Sequence, residues 1–598
     1  MTSRWSDGST DPNRNALWGR AIIEELVAAG VIELCHAPGS RSTPIVLAAH
    51  SNPSISLRTI IDERTAGFFA LGRAAVTGHP TPVLTTSGTA AANLHPAVIE
   101  AAHARVPMLV LTADRPPELR DSEANQTINQ VGLYGSAIRW AADLPEPAPQ
   151  PRRLRALRTA VARAVAICRA VPPGPVHLNV PFAKPLESSE VPGDIPADLE
   201  DRDPRAVTAT TDGYLRMYEG RSTLDPADVD TLVDRMQATS RGLFVVGPST
   251  DIPFGALTTL ASTIGYPVFA DPLSGGRFGP HIDATAAVVG GYDGWLVPTI
   301  REQLAGPDLV IRFGRPPTSD RLRSYLAAAD PEHIVVDPAG PMGDPEFATT
   351  TVLACDPRTL IEQLPSRVRG GTATTWTATI ESIESAYWSV IAADTTDTHE
   401  DAILSTVLGE LPPSATLVIG NSMPVRDLDR FGRPESTDTT VIGNRGASGI
   451  DGVLSTTFGV ASATDRPTVA VVGDLAFHHD ATALSLANSH DIDATIVLIN
   501  NDGGGIFHLL PIEAYDPPFT ERFRAAHGRT FEDICSQFDV AYDQQPAGSD
   551  GADGIRRAFE TAGPAVIEIL VDGEASHRHR ESLDETVATA LTDLDLIG

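Results

Sequence analysis

Apolar and polar positions alternate along this chain in blocks that predict helices and strands in turn. Near the start, "NALWGRAIIEELVAAGV" has apolar residues at helical spacing, and the run "VIELCHA" overlaps its end as a short buried strand. The same succession recurs up to "GPVHLNV" at residues 174–180. Strands that alternate with helices predict a parallel sheet covered by helices on both faces.

Two breaks in this pattern divide the chain into three predicted domains. A stretch rich in Pro, Asp and Glu follows the first block, and the Gly/Thr-rich segment "RVRGGTATTWTATI" interrupts the pattern again later. We therefore expect an α/β protein with three doubly wound, mostly parallel sheets and ligand sites at the carboxyl ends of the strands. The predicted limits are 1–190 for the first domain, 191–235 for an acidic linker, 236–370 for a central domain, 371–395 for a second linker and 396–598 for the last domain.

Composition fits an ordinary globular protein. The 598 residues are 42% hydrophobic, and no apolar run approaches the roughly 18 residues of a membrane helix. The first residues lack the apolar core of a signal peptide, so we expect a cytoplasmic protein without membrane insertion. The cysteines form no CxxC pair and are predicted to be reduced core residues; they are Cys35, Cys168, Cys355 and Cys535.

The charge balance excludes one class of partner. With 77 acidic against 45 basic residues, the formal net charge is −32. Nucleic acid is not an expected partner, because binding to a phosphate backbone needs a basic surface. The acidic composition resembles that of proteins from salt-loving organisms, whose charged surfaces stay soluble in concentrated salt.

Stability is therefore expected to depend on salt. Repulsion among the surface carboxylates is strongly screened only at high ionic strength, where the Debye length falls to about 3 Å near 1 M salt. We predict that the folded chain loses its tertiary structure as KCl is diluted, which near-ultraviolet circular dichroism at falling salt would measure. Full stability in dilute buffer would refute the halophilic interpretation.

Two polar residues follow neighbouring predicted strands of the last domain. Asp474 ends the apolar run "TVAVVG", and Asn501 follows "ATIVLIN", 27 residues later, which is the length of one strand–helix–strand crossover. A carboxylate, an amide oxygen and the carbonyl of Gly503 form a set of hard oxygen ligands suited to Mg²⁺, which commonly bridges to phosphate. The helix N-terminus after Gly473 would add N–H groups for that phosphate. The alternative is that Asp474 only caps a helix and the glycine-rich segment is a turn.

The pattern Gly473-Asp474 followed by Asn500-Asn501 resembles the signature of thiamine diphosphate enzymes. Leu475 stands where the general signature has Gly, and this variant resembles one branch, the 2-succinyl-5-enolpyruvyl-6-hydroxy-3-cyclohexene-1-carboxylate synthases of menaquinone biosynthesis. The resemblance extends over all three blocks. The most specific segments are "PGSRSTP", "TADRPPEL", "NRGASGIDG" and "NNDGGGIF".

The resemblance implies a decarboxylating transferase. Such an enzyme removes CO₂ from 2-oxoglutarate on thiamine diphosphate and adds the resulting succinic-semialdehyde carbanion to isochorismate. The first domain, 1–190, would bind the cofactor's pyrimidine, and the last, 396–598, its diphosphate with Mg²⁺, or Mn²⁺ in its place. Because the family builds each site from two subunits, a homodimer or homotetramer is implied, with active sites at the subunit interface.

The resemblance also assigns cofactor roles. Asp474, Asn501 and the Gly503 carbonyl would hold the metal, and Glu63 would exchange a proton with the aminopyrimidine ring. Ile450 would keep the cofactor bent, beside Ile506 and Phe507. The implied cofactor-binding residues are Gly473, Asp474, Leu475, Asn501, Gly503, Ile506, Phe507, Ile450 and Ser422. From the residues alone, Glu63 is better explained as a first-turn acid after the N-cap Asp62.

Arginines in loops at strand ends suit acidic substrates. A guanidinium binds a carboxylate with two parallel hydrogen bonds, although any one of these arginines could instead pair with a surface acid. By resemblance, Ser422 and Arg426 would hold the distal carboxylate of 2-oxoglutarate. The residues implied for isochorismate are Ser40, Arg41, Arg115, Asn125, Gln126, Arg321 and Arg445.

Two departures and two rival functions qualify this interpretation. Asp320 stands before Arg321 where the family usually has Lys, and Gly505 where relatives often have Gln. The first rival is another thiamine diphosphate-dependent decarboxylase or carboligase, of the acetohydroxyacid synthase type, which would need fewer arginines. The second is a catalytically silent α/β protein that binds an anionic nucleotide.

Overall fold

Parallel sheets flanked by helices make up the computed structural model, which describes residues 11–283, 288–340, 343–370, 374–592 and 594. Within those residues, each of three sheets has six strands and every strand pairing is parallel. This confirms the predicted α/β class. The first ten residues, on which the expectation of no signal peptide depends, lie outside the described part.

The first sheet has the strand order β2-β1-β3-β4-β6-β5. Its strands are β1 Glu33–His36, β2 Ser56–Thr59, β3 Thr81–Thr85, β4 Met108–Asp114, β5 Trp140–Asp143 and β6 Pro175–Pro181. The helices of this part are α1 Arg14–Ala28, α2 Thr43–Ser51, α3 Glu63–Thr77, α4 Thr89–Asn93, α5 His95–Ala104, α6 Pro151–Arg169, α7 Leu199–Arg202 and α8 Pro204–Val207.

The second sheet has the order β12-β11-β10-β7-β8-β9. Its strands are β7 Gly242–Val246, β8 Val268–Ala270, β9 Val288–Val289, β10 Leu309–Phe313, β11 Glu332–Val336 and β12 Thr351–Leu353. The helices are α9 Pro226–Ala238, α10 Phe254–Ile264, α11 Tyr292–Trp295, α12 Pro298–Gln303, α13 Asp320–Ala329, α14 Pro357–Gln363 and α15 Thr375–Ala393.

The third sheet has the order β14-β13-β15-β16-β18-β17. Its strands are β13 Thr416–Ile419, β14 Thr440–Ile442, β15 Thr468–Gly473, β16 Thr495–Asn500, β17 Ala541–Pro546 and β18 Ala565–Leu570. The helices are α16 Glu400–Glu410, α17 Met423–Phe431, α18 Val453–Ala461, α19 Asp474–Asp480, α20 Ser485–His490, α21 Glu532–Gln537, α22 Ser549–Glu560 and α23 Gly573–Thr592.

Compact units and predicted domains divide the chain differently. One unit contains residues 1–219 with 444–465 and 480–492, and the other contains the rest. Within the first unit, α18 packs closely on α3 at Gly72. A Cβ on Gly72 would lie 2.2 Å from the Thr456 carbonyl oxygen, so the two helices can approach this closely only because Gly72 has no side chain. The predicted domain limits remain a prediction.

A helix occupies most of the segment predicted as the second linker, 371–395. Residues 371–373 lie outside the described part, and Thr375–Ala393 form α15. Its buried side chains recur at helical spacing, which packs this helix into the apolar core of the central sheet. They include Trp376, Ile380, Ile383 and Tyr387.

Two further observations bear on the sequence-based expectations. All four cysteines are buried and free, as predicted. In the part of the chain that the structure describes, no helix has both the length and the apolar character to cross a membrane.

Candidate active site

The carboxyl ends of β15 and β16 bring the predicted metal ligands together. The two strands are parallel neighbours, with Gly473 opposite Ile499. Asp474 follows directly and its side chain is buried, with 2% of the residue exposed. Its Oδ2 accepts a hydrogen bond of 2.8 Å from the Gly503 N–H, so the glycine loop after β16 folds back onto the carboxylate.

The acidity of Asp474 is set by opposing effects. Burial raises the pKa of the Asp474 carboxyl, while hydrogen bonds from backbone N–H groups at Gly503 and Leu475 and the nearby His527 lower it. The Leu475 N–H donates to Oδ1 at 2.6 Å. Among the described residues, no Arg or Lys forms an ion pair with Asp474. A buried carboxylate without a cation is costly, and a metal ion would offset that cost.

Asn501 is oriented by a carboxyl group that the sequence did not single out. Its Nδ2 donates to Glu400 Oε1 at 2.7 Å, at the first residue of α16. Burial and the neighbouring Asp427 raise the pKa of Glu400. Because the amide nitrogen is engaged by Glu400, Oδ1 is the atom of Asn501 left to act as a ligand.

His527 and Asp502 complete the loop around Asp474. His527 Nε2 lies 3.2 Å from Asp474 Oδ2. Asp502 Oδ1 accepts from the N–H groups of His527 and Gly528, at 2.9 and 2.6 Å. These bonds fix the segment that carries His527 beside the glycine loop.

The conformation of Gly503 excludes other residues. Its φ is +134°, and a Cβ there would lie 2.1 Å from the Arg524 carbonyl oxygen. Only glycine therefore lets the backbone approach so closely.

Gly503→Ala is expected to displace this loop and weaken Mg²⁺-dependent binding of thiamine diphosphate by more than about tenfold, because loss of a ligand's support costs 10–100-fold in metal affinity. The cofactor's quenching of intrinsic fluorescence would measure binding. Gly563→Ala is the matched control, since its φ is +87° but nothing lies within 4 Å of the added Cβ. Equal binding by both variants would contradict the role given to the loop.

Glu63 begins α3, after a three-residue bend that follows β2. Asp62 is the N-cap, its carboxylate accepting from the N–H groups of Arg64 and Thr65. Glu63 Oε2 accepts a hydrogen bond of 3.1 Å from Asn93 Nδ2. The cap function therefore belongs to Asp62, and the Glu63 side chain is half-buried and accepts a hydrogen bond from an amide.

The loops after β1 and β4 place two guanidinium groups close together. Arg41 is 3% exposed and donates through Nη1 to the Phe182 carbonyl oxygen at 2.6 Å. Burial and the neighbouring positive charge of Arg115 lower the pKa of Arg41. An anion between them would offset both effects.

Ser40, Asn125 and Gln126 lie on the same loops. Arg115 Nη2 donates to the Asn125 carbonyl oxygen at 2.7 Å, and Gln126 is held by bonds with Ser87. Within the described part of the chain, Arg41 Nε and Arg115 Nε are buried without a hydrogen-bond partner. These five predicted substrate residues are thus brought together at one edge of the first sheet.

Ser422 is the N-cap of α17, after β13, and Arg426 is the fourth residue of that helix. Arg426 Nη1 donates to the Ser422 carbonyl oxygen at 2.7 Å. Ser422 has a φ of 70°, a conformation that L residues rarely adopt and that is often found at functional sites. Both predicted residues therefore belong to one strand end of the third sheet, the sheet that carries Asp474.

Arg445 and Ile450 belong to the first unit, in the segment before α18. The buried Glu100 carboxylate accepts from the N–H groups of Gly446 and Ala447, each at 2.6 Å, and so fixes the loop next to Arg445. Ile450 is 37% exposed, unusual for a large apolar residue. Among the residues near the glycine loop, Ile506 and Phe507 are half-buried in a 3₁₀ turn, and Phe507 contacts the Phe523 ring.

Arg321 is engaged within the protein. Its Nη2 lies 2.5 Å from Asp584 Oδ2, and its Nη1 donates to the Asp293 carbonyl oxygen at 3.0 Å. Asp320, which stands where the family usually has Lys, is exposed and pairs with Arg323. A role for Arg321 with isochorismate remains a prediction, and it would require exchange of the Asp584 carboxylate for that of the substrate.

Comparisons with known proteins match nearly the whole length of the chain. The N-terminal TPP binding domain of thiamine pyrophosphate enzymes matches residues 18–133, the middle domain matches 217–419, and the C-terminal TPP binding domain matches 427–569. A protein of Halobacterium salinarum is 48% identical over 97% of this chain and 99% of its own. Proteins of Haloquadratum walsbyi and a Roseiflexus species are 45% and 41% identical, over 97% and 96% of this chain and 99% and 98% of their own. All three are named 2-succinyl-5-enolpyruvyl-6-hydroxy-3-cyclohexene-1-carboxylate synthase.

The chain belongs to this synthase family. It is accordingly a thiamine diphosphate-dependent enzyme of the transferase type, as the sequence motifs predicted.

The sequence pointed to the strand-end residues of the site but not to the residues that contact them from elsewhere in the chain. Asp474 and Gly503 are in contact, and Asn501 lies two residues before Gly503 on the loop after β16. The role of these residues as metal ligands stays a prediction. Glu400 and His527 were missed. Neither stands in a recognisable spacing, since they come from 101 and 53 residues away along the chain from their partners.

The donor set fits the cofactor of the synthase family. Asp474, the Asn501 amide and the Gly503 carbonyl offer hard oxygen atoms of the kind that Mg²⁺ prefers as ligands. Glu400 accepts its hydrogen bond from Asn501 Nδ2 and so does not occupy Oδ1. The glycines of the loop have no side chains, which lets the backbone approach a phosphate closely.

Proposed function

We propose that this chain converts 2-oxoglutarate and isochorismate into 2-succinyl-5-enolpyruvyl-6-hydroxy-3-cyclohexene-1-carboxylate and CO₂. The observation that carries the proposal is the buried Asp474 carboxylate bonded to the Gly503 loop, in a chain 48% identical to a synthase of that name. An acetohydroxyacid synthase type of activity is less well supported, because the relatives bear the synthase name over nearly their full length.

Asp474, Asn501 and the Gly503 carbonyl would hold Mg²⁺, or Mn²⁺ in its place, against the diphosphate. Gly473 and Leu475 would offer backbone to the same diphosphate, at the start of α19. Ile450, Ile506, Phe507 and Ser422 would contact the rest of the cofactor. When bound, thiamine diphosphate supplies the electron sink that lets a 2-oxo acid lose CO₂.

Glu63 would hold and move a proton at a ring nitrogen of the bound aminopyrimidine. Its position supports this role, because Asp62 already caps α3 and Asn93 is the side chain that hydrogen-bonds Glu63. A carboxyl group in that position can act as a general acid and base.

The arginine loops would orient the two acids. Arg41 and Arg115 would bind the carboxylates of isochorismate with Ser40, Asn125, Gln126 and Arg445, and Arg321 would join them if it exchanged its partner. Ser422 and Arg426 would hold the distal carboxylate of 2-oxoglutarate. The support is that burial and the nearby charge of Arg115 lower the pKa of Arg41, an effect that an anionic substrate would offset.

We further propose that the protein acts in the cytoplasm as a homodimer or homotetramer, in which Glu63 of one copy serves the diphosphate site of another. The family resemblance supports this arrangement.

The proposal is tested with two substrates in high salt. Purified protein with Mg²⁺ and thiamine diphosphate is incubated with 2-oxoglutarate, with and without isochorismate, and products are identified by mass spectrometry. We expect rapid CO₂ release and the carboligation product only when both acids are present. Equal CO₂ release without isochorismate would favour a simple decarboxylase. Formation of acetohydroxy acids, when pyruvate is supplied instead, would favour the acetohydroxyacid synthase type. If thiamine diphosphate does not bind at all, the result would favour the silent binding protein.

A further inference from the structure

Three further side chains form a second set of metal-type ligands. Asp394 follows α15, Asp401 lies in the first turn of α16, and His579 lies in α23. One potential ligand atom from each lies within 4.8 Å of the others. His579 Nε2 is 2.8 Å from Asp394 Oδ2 and 3.7 Å from Asp401 Oδ2.

An ion pair between His579 and Asp394 explains only half of this arrangement. The Nε2 atom carries at most one proton. The 2.8 Å distance shows that Nε2–H donates its hydrogen bond to Asp394. Asp401, at 3.7 Å, is too far for a hydrogen bond. The neighbouring cation, Arg580, is bonded instead to Asp427. One ring nitrogen thus faces two carboxylates and can donate a hydrogen bond to only one of them, while Arg580 acts on Asp401 only as a nearby charge.

A second imidazole lies against the first. The rings of His399 and His579 have centroids 4.5 Å apart. Among the described residues, the His399 Nδ1 atom is buried without a hydrogen-bond partner. The three ligand side chains are themselves largely covered, with 18%, 13% and 14% of Asp394, Asp401 and His579 exposed. The cluster is therefore more enclosed than a group of surface acids, and it holds an unpaired nitrogen beside it.

We propose that Asp394, Asp401 and His579 bind a divalent transition-metal ion, of the Mn²⁺, Co²⁺ or Zn²⁺ type. Neighbouring ligands of an ion with bonds of about 2.1 Å lie roughly 3.0–3.5 Å apart, close to the 2.8 and 3.7 Å found here. An imidazole nitrogen with two carboxylates suits these ions, whereas Mg²⁺ prefers oxygen ligands alone. This site is independent of the proposed function.

The ion would connect three segments of the chain. It would tie the end of α15 to the starts of α16 and α23, and Asp401 directly follows Glu400, which orients Asn501. Its first expected effect is thus on the stability of these helices, with thermal unfolding shifted upward by the ion.

Titration with Co²⁺ tests the site in the full chain, at high salt and without thiamine diphosphate. We expect visible absorption bands that saturate at one Co²⁺ per chain. His579→Gln and Asp401→Asn are expected to weaken binding by more than about tenfold. His527→Gln is the matched control, because it removes the imidazole beside Asp474 and is expected to leave Co²⁺ binding unchanged.

Far-ultraviolet circular dichroism would show whether each variant folds. If a variant does not fold, a measurement on the wild-type protein still tests the proposed site. Pulsed electron paramagnetic resonance of one equivalent of Mn²⁺ should detect coupling to an imidazole ¹⁴N, in wild type and in His527→Gln. The proposal is overturned if no ion binds at millimolar concentration, if ¹⁴N coupling is absent, or if binding is lost in His527→Gln and kept in His579→Gln.

Discussion

Replacing Glu63 with glutamine is expected to lower kcat by about 10²–10⁴-fold, the usual contribution of a general acid–base group, while thiamine diphosphate binds as before. Glutamine keeps the size and the hydrogen bond from Asn93 but cannot exchange a proton. Steady-state turnover with both substrates, together with cofactor titration by fluorescence, would measure the two effects separately.

Asp62→Asn is the matched control for Glu63→Gln. It also removes one carboxylate from the start of α3, but asparagine caps a helix about as well as aspartate, so kcat and stability should stay near those of the wild type. A Glu63→Gln enzyme with normal turnover would refute the catalytic role proposed for Glu63.

Replacing Asp474 with asparagine is expected to weaken Mg²⁺-dependent binding of thiamine diphosphate by at least about tenfold, with activity falling in parallel at fixed cofactor. The loss of even a residue that supports a metal ligand costs 10–100-fold, and asparagine removes the negative charge itself. Titration of the cofactor at several Mg²⁺ concentrations would measure the change.

Asp493→Asn controls for the loss of one charge in this acidic chain. Asp493 is exposed shortly before β16 and is given no part in the site, so its replacement should leave cofactor affinity unchanged. Unaltered Mg²⁺ dependence in Asp474→Asn would mean that the ion is held elsewhere.

The strand ends of the site could be predicted because they follow from a repeating pattern. β15 and β16 are apolar runs buried on both faces, and parallel pairing brings their carboxyl ends to one edge of the sheet. Asp474 and Asn501 stand immediately after those runs, so the sequence alone placed them side by side.

The rest of the site depends on contacts that no local pattern records. Glu400 bonds Asn501 and His527 approaches Asp474 through the tertiary fold. Short or half-exposed strands such as β14 and β17 are also not predicted from the sequence, because apolar and polar residues do not alternate clearly in them. The segment 371–395 is predicted as a linker because its Gly/Thr-rich start is a stronger sign of a break than its tryptophans are of a helix, whereas residues 375–393 form α15.

The location of the metal ion in the complex tests the central claim most directly. Crystals of the full chain grown with thiamine diphosphate and Mn²⁺ would be measured at the manganese absorption edge. We expect an anomalous peak about 2.1–2.3 Å from Asp474, from the amide oxygen of Asn501 and from the Gly503 carbonyl, with the diphosphate on its open side. Bound diphosphate with no peak at these three oxygens, or strand ends too far apart to share one ion, would contradict the account.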